Sequence, residues 1–229
     1  MSEPAVEAHA LSKTYRQGHH DVHALSDVEL LVEPGELTVL AGPSGSGKTT
    51  LLNLIGALDR PTSGEIRVGG RDLRALNKTE LASMRRDHIG FVFQAYNLLP
   101  VLSALENAEL VLELQGVPRH ECRERATEVL RAVGLGDMLE RRPAELSGGQ
   151  QQRVAVARAI ASARTLVLAD EPTANLDSKS AESLLDLMVE LNQERNLTFL
   201  FSTHDPRVMA RARRIVRLED GRIVEDERQ

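Results

Sequence analysis

Two hydrophobic periods alternate along the chain. Residues 22–32 alternate apolar and polar side chains and run into Pro34-Gly35, the pattern of a half-buried strand and its turn. Residues 37–41 form a short unbroken apolar run, read as a buried strand, and helical spacing follows over residues 49–58. Residues 64–68 read as a further strand closed by Gly69-Gly70. In the middle of the chain the period lengthens. Asn77-Lys-Thr-Glu80 and Ser103-Ala-Leu-Glu106 have capping-box spacing, so each starts a helix, with a strand over residues 89–93 between them. Pro118 opens a charged amphipathic helix that runs to Val133 and stops at Gly134. Residues 95–160 therefore read as all-helical. Alternation then resumes, with a strand at 166–169, a helix at 178–195, a strand at 197–202 and a terminal hairpin of 214–218 and 222–224. Strand–helix alternation interrupted by a helical stretch predicts an α/β core, its mainly parallel sheet covered on both faces, with a helical insertion.

Composition narrows the possibilities. At 229 residues the chain is long enough for one domain with a sizeable insertion. Its single cysteine, Cys122, excludes an internal disulfide and suits a reducing compartment. There is no tryptophan, with only four phenylalanines and two tyrosines, and the net charge is −6. Both features argue against a nucleic-acid partner, which calls for stacking aromatics and a basic surface. No apolar run approaches the roughly 18 residues of a membrane span. The start of the chain lacks the basic-then-apolar order of a secretory signal.

Three segments carry chemistry. Gly42-Pro-Ser-Gly-Ser-Gly-Lys-Thr49 matches the phosphate-loop pattern and lies between a predicted strand and a predicted helix. Its glycines let successive backbone N–H groups turn toward phosphate oxygens, and the helix that follows adds its positive end. Lys48 is placed for the outer phosphates and the Thr49 hydroxyl for Mg²⁺. In Leu166-Val-Leu-Ala-Asp-Glu171 an apolar strand ends in two acids, with Asp170 placed to hold Mg²⁺ and Glu171 to activate water. Leu146-Ser-Gly-Gly-Gln150 puts a good N-cap, Ser147, before paired glycines, which makes a second phosphate-binding helix start. One nucleotide needs one cradle. A second one displaced into the helical stretch fits the nucleotide of another copy, in a head-to-tail two-fold dimer with ATP at the seam.

In this order, the phosphate loop, Gln94, Leu-Ser-Gly-Gly-Gln, the strand with Asp-Glu, Asn-Leu-Asp177 and His204 resemble the ATP-binding cassette (ABC) ATPases over nearly the whole chain. The resemblance implies a P-loop NTPase fold of ABC type. Residues 1–94 and 161–229 would form the core with an antiparallel β subdomain, and about 95–160 the helical subdomain. It implies ATP and Mg²⁺ as cofactors, with Gly42, Pro43, Ser44, Gly45, Ser46, Gly47, Lys48, Thr49 and Thr50 around the phosphates, and Thr49, Asp170 and Gln94 about the metal. Tyr15 matches the aromatic that stacks on adenine, Glu171 the general base, and Lys48, Gln94 and His204 the groups that position the reactants. Ser147, Gly148, Gly149 and Gln150 would face the γ-phosphate of the opposite subunit, and Asp177 would cross the dimer seam.

Leu58-Asp-Arg-Pro-Thr-Ser-Gly-Glu, Phe91-Val-Phe-Gln-Ala-Tyr-Asn-Leu-Leu-Pro100 and Leu168-Ala-Asp-Glu-Pro-Thr-Ala-Asn-Leu-Asp resemble the branch with MacB, LolD and FtsE. There the ATPase drives a separately encoded permease by mechanotransmission from the inner face of the membrane. Ala174 departs from the glycine usual in that branch; alanine is tolerated unless the backbone there needs a positive φ. Regulatory signalling of the division type, or a soluble role without a membrane partner, are the alternatives. Three weaker signals remain. His19, His20 and His23 read as solvated loop histidines rather than a metal site. Arg207, Arg211, Arg213, Arg214 and Arg217 read as a solvated face, and Cys122 as incidental among charged helix residues. Residues 110–114 read either as core or as a docking surface for a coupling helix.

Overall fold

The computed structural model describes residues 3–18 and 20–229. His19 of the histidine group and the first two residues of the expected non-signal start lie outside the described residues. Among the described residues, ten strands fall into two sheets. β1 (Val6–Gln17), β2 (His20–Val32), β4 (Ser63–Val68) and β5 (Arg71–Asp72) form an antiparallel sheet in the order β2-β1-β4-β5. β3 (Leu37–Ala41), β6 (Ile89–Val92), β7 (Leu166–Asp170), β8 (Phe199–Ser202), β9 (Arg214–Glu219) and β10 (Arg222–Arg228) form the second, ordered β10-β9-β3-β8-β7-β6. All neighbours in it are parallel except the terminal hairpin of β9 and β10.

The parallel strands read as unbroken apolar runs because both of their faces are covered. Successive side chains point to opposite faces and enter different cores. Leu40, Leu166, Leu168, Leu200 and Val216 pack with the antiparallel sheet and with α1 (Lys48–Ile55) and α2 (Lys78–His88). Val39, Val167, Ala169, Phe199 and Phe201 pack with α3 (Ala104–Leu114), α4 (Arg119–Ala132), α5 (Gly148–Ser162) and α6 (Ser178–Arg195). The helical stretch thus has no separate core; it shares one with a face of the sheet. A last short helix, α7 (Pro206–Met209), follows β8.

Local signals explain most boundaries. Asn77 and Ser103 form the reciprocal capping boxes that start α2 and α3. Pro118 sits at the N-cap of α4, one residue outside it, and Gly134 follows with φ 76°. Two expectations need correction. Cys122 is fully buried, its Sγ 3.3 Å from the Val117 carbonyl, because helical spacing aligns it with Ala126, Val129 and Leu130. Arg214 is not solvated: only 6% exposed, it forks onto Asp226 and reaches Glu36, so the hairpin is locked to the chain before β3. The other expectation for Ala174 holds, since it is absent from the residues with positive φ.

Candidate functional site

The carboxyl ends of four adjacent strands, β6, β7, β8 and β3, converge on one cavity of about 450 Å³. Crevices at this end of open α/β sheets are where ligands bind, since the loops there diverge to the two faces. After β3 comes the phosphate loop. A Cβ on Gly42 would lie 2.1 Å from the Leu218 carbonyl oxygen, and one on Gly47, at φ 102°, 2.6 Å from that of Ala24. Only glycine allows the loop to curl this tightly. Gly47 is the N-cap of α1 and supplies no side chain, so the first amides of that helix stay open. Lys48 is buried, and its Nζ donates to the carbonyls of Gly42 at 2.7 Å and Pro43 at 2.8 Å. Ser44, Gly45, Gly47, Lys48, Thr49 and Thr50 line the cavity. Gly42, Pro43 and Ser46 are not in its lining, and the buried Ser46 hydroxyl has no hydrogen-bond partner among the described residues.

The Thr49 hydroxyl donates to both Asp170 oxygens at 3.3 and 3.4 Å. Burial pushes the Asp170 carboxyl above the usual range, Glu171 adds to this, and the hydroxyls of Ser202 and Thr49 oppose it. A hydroxyl beside a desolvated carboxylate is a hard oxygen set that fits Mg²⁺, with Gln94 on the wall of the same cavity.

Glu171 stands one residue beyond Asp170 in the left-handed region, φ 46°, a conformation non-glycine residues rarely hold. Three bonds over-determine it. Its amide donates to the Ser202 carbonyl at 2.8 Å, its Oε2 accepts from the Thr203 hydroxyl at 2.9 Å, and its Oε1 accepts from His204 Nδ1 at 2.7 Å. Thr203 is fully buried while the His204 side chain is 75% exposed. Both His204 and Glu171 line the cavity.

The remaining expected residues lie elsewhere. The Tyr15 hydroxyl donates to Asp59 Oδ2 at 2.8 Å, and Lys13 Nζ lies 4.7 Å from its ring centroid. Ser147, Gly148, Gly149 and Gln150 open α5. Gln150 accepts from the Ser147 amide at 2.8 Å while the Ser147 hydroxyl accepts from that of Gln150 at 3.3 Å, a closed capping box. Asp177 caps α6, accepting from Ser180 N and Oγ, and these bonds hold its carboxyl below the usual range. Gly149 abuts the same Ser180. None of these lines the cavity. The histidines expected in a loop lie on a strand where they are described: His20 and His23 are on β2, and His23 lines the cavity beside the phosphate loop.

Three contacts escaped sequence reading. Thr203 fixes Glu171, and its only signal is adjacency to His204. Gln152, 1% exposed in the run after Gly149, donates to the Pro172 carbonyl at 2.8 Å, so α5 grips the chain just past Glu171. Asn175 donates to the Gln94 carbonyl at 2.9 Å. A second cavity, of about 420 Å³, lies beyond Gln94, lined by Leu58, Phe91, Phe93, Leu110, Val111 and Leu114 together with Arg85, Arg86 and Arg158. Residues 110–114 therefore do both things: Leu112 is core, and its neighbours face this groove.

Comparison with known proteins identifies the family. Residues 25–174 match the ABC transporter family model. The chain is 51% identical over 227 residues to a lipoprotein-releasing system ATP-binding protein LolD of Anaeromyxobacter dehalogenans, covering 99% of this chain and 95% of that one. It is 46% identical over 226 residues to a macrolide export ATP-binding/permease protein MacB of Hahella chejuensis, covering 99% of this chain but 34% of the relative, so it spans about a third of that protein. A solved dimeric ATP-binding cassette in a post-hydrolysis state, bound to ADP and Pi, superposes with a TM-score of 0.89 at 44% identity, covering 97% of this chain and 98% of that one. On the family match, these relatives and the shared cassette fold, the chain belongs to the ABC transporter family.

Proposed function

We propose that this chain binds and hydrolyses ATP as a head-to-tail dimer and drives a membrane permease, in the manner of mechanotransmission. The observation that carries the reading is Glu171, held at the mouth of the phosphate-loop cavity between Thr203 and His204. The phosphates of ATP replace the Gly42 and Pro43 carbonyls as partners of Lys48, and the open amides of α1 take the remaining charge. Bound Mg²⁺, held by Thr49 and Asp170 with Gln94 nearby, would neutralise charge on the phosphates. Tyr15 offers adenine the ring face away from Lys13. Glu171 accepts the proton of the attacking water, which requires that its bond to His204 open; His204 is then free to donate to the γ-phosphate.

Residues 147–150 of a second copy complete the site, with Asp177 beside them at the seam. Residues 1–94 and 161–229 act as the core and about 95–160 as the helical arm that brings those residues across. Closing and opening of the dimer reaches the permease through the groove beyond Gln94, where Leu58 and Leu114 are exposed apolar side chains. That partner holds the chain at the cytoplasmic face of the membrane; no helix among the described residues is long and apolar enough to cross it.

The test is Glu171→Gln. ATP binding is retained, turnover falls to background, and ATP shifts the protein to a dimer on a sizing column. Turnover at the wild-type rate would remove Glu171 from this role.

A further inference from the structure

The loop between Gln94 and Pro100 is pinned to α5 at two places. Arg158 donates from Nη1 to the Asn97 carbonyl at 2.6 Å and from Nη2 to the Tyr96 carbonyl at 3.1 Å. Its guanidinium lines the groove, and burial there, with no carboxylate paired to it among the described residues, lowers its pKa. The Tyr96 side chain reaches the other end of the same helix. A Cβ on Gly148 would lie 2.8 Å from Tyr96 Oη and 3.8 Å from Cζ, so the phenol rests on the first residue of α5. Positions 148 and 158 are separated by about 15 Å of rigid helix. Tyr96 is thus a strut alongside α5, its backbone held by a groove residue and its tip set against the glycines of the second helix start.

We propose that Tyr96 is a positioning residue that sets the Ser147–Gly149 loop according to the state of the groove. This rests on the reading that the loop meets a nucleotide on a second copy. A ligand that enters the groove meets Arg158, shifts the Tyr96–Asn97 carbonyls it holds, and moves the phenol against Gly148. The contact is steric, and packed contacts pass on small displacements instead of absorbing them.

The geometry gives a test by second-site rescue. In the Glu171→Gln parent, Gly148→Ala brings a methyl against the Tyr96 hydroxyl, and the ATP concentration that half-saturates dimerisation rises about tenfold, the scale of local overpacking. Tyr96→Phe removes only the clashing atom and leaves Cζ at ordinary contact distance, so the double variant returns most of the way to the parent. Binding of a fluorescent ATP analogue to the monomer is unchanged in all of them, which separates positioning from damage to the nucleotide cavity. In an Arg158→Gln background, where the Tyr96 backbone is released, Gly148→Ala has a smaller effect; a melting curve checks that this variant folds. If Gly148→Ala is equally impaired with Tyr96 and with Tyr96→Phe, the strut is wrong while the shared-site reading survives. A parent that does not dimerise with ATP overturns that reading and this proposal together.

Discussion

Two glycine-rich helix starts are built in opposite ways. At α1, the N-cap Gly47 contributes no side chain and the nearest cation, Lys48, is turned onto the loop's own carbonyls. At α5, Ser147 and Gln150 close a reciprocal box. The first start is an open cradle whose charge is stored until an anion arrives. The second has its Ser147 and Gln150 amides tied by that box, and its outer surroundings are supplied by Tyr96 and Ser180 from other elements. The difference teaches that the same composition can make a cradle within its own cavity or a capped start presented away from it. What differs is whether a side chain at the N-cap ties one of the first amides locally or leaves them all open.

Substitutions that break this contrast rank by expected size. Gly42→Ala has the largest effect. Its Cβ meets the Leu218 carbonyl oxygen, and the φ of 149° suits only glycine, so the loop must move. A loss of about 3 kcal/mol or more is expected in denaturant unfolding, together with loss of ATP binding. Lys48→Met comes next. ATP at about 100 times its Kd raises wild-type stability by roughly 2.7 kcal/mol, and that increment disappears from the melting curve. Ser147→Ala opens the second box and removes about 1 kcal/mol of stability, while monomeric ATP binding stays at the wild-type level. A Ser147→Ala variant that lost monomer binding would erase the distinction between the two starts.

The smallest effect is on pH dependence next to the second start. Ser180 holds the Asp177 carboxyl below its ordinary value, so this cap contributes stability above the unfolded-state pKa of about 3.9. That contribution is lost as pH falls through the lower folded-state value. Between pH 5 and 3 the melting temperature of Asp177→Asn therefore falls less than that of the wild type. Parallel curves would remove the cap from α6.

Legibility in the sequence followed locality. The helix expected over residues 178–195 is α6 to the residue, and both capping boxes formed as spaced, because a cap is decided by side chains three positions apart. The strand β1 was not expected. Its pairing shifts register at Ala8/Leu11, Leu11/Lys13 and Lys13/Thr14, and Ala10 has φ 44°, so these irregularities break the period-two pattern. Arg214 looked like one of a solvated arginine group, yet Asp226 across the hairpin and Glu36 from far back in the chain enclose it. The phosphate loop, the two acids and the second helix start could be read because their chemistry needs adjacent residues. Thr203, Gln152 and Tyr96 could not, since each acts on a partner far away in the chain.

The sequence by itself determined the alternation of strands and helices, the two glycine-rich starts and the acids at the end of β7. Each depends on neighbours a few positions away. Only the tertiary structure decided that Gln94, Glu171, His204 and Lys48 share one cavity, since four parallel strands had to end side by side first. It alone bound Glu171 to His204 and Thr203, and laid Tyr96 against Gly148. Contacts of this kind exist only once burial has drawn distant segments together, and no local pattern encodes which segments meet.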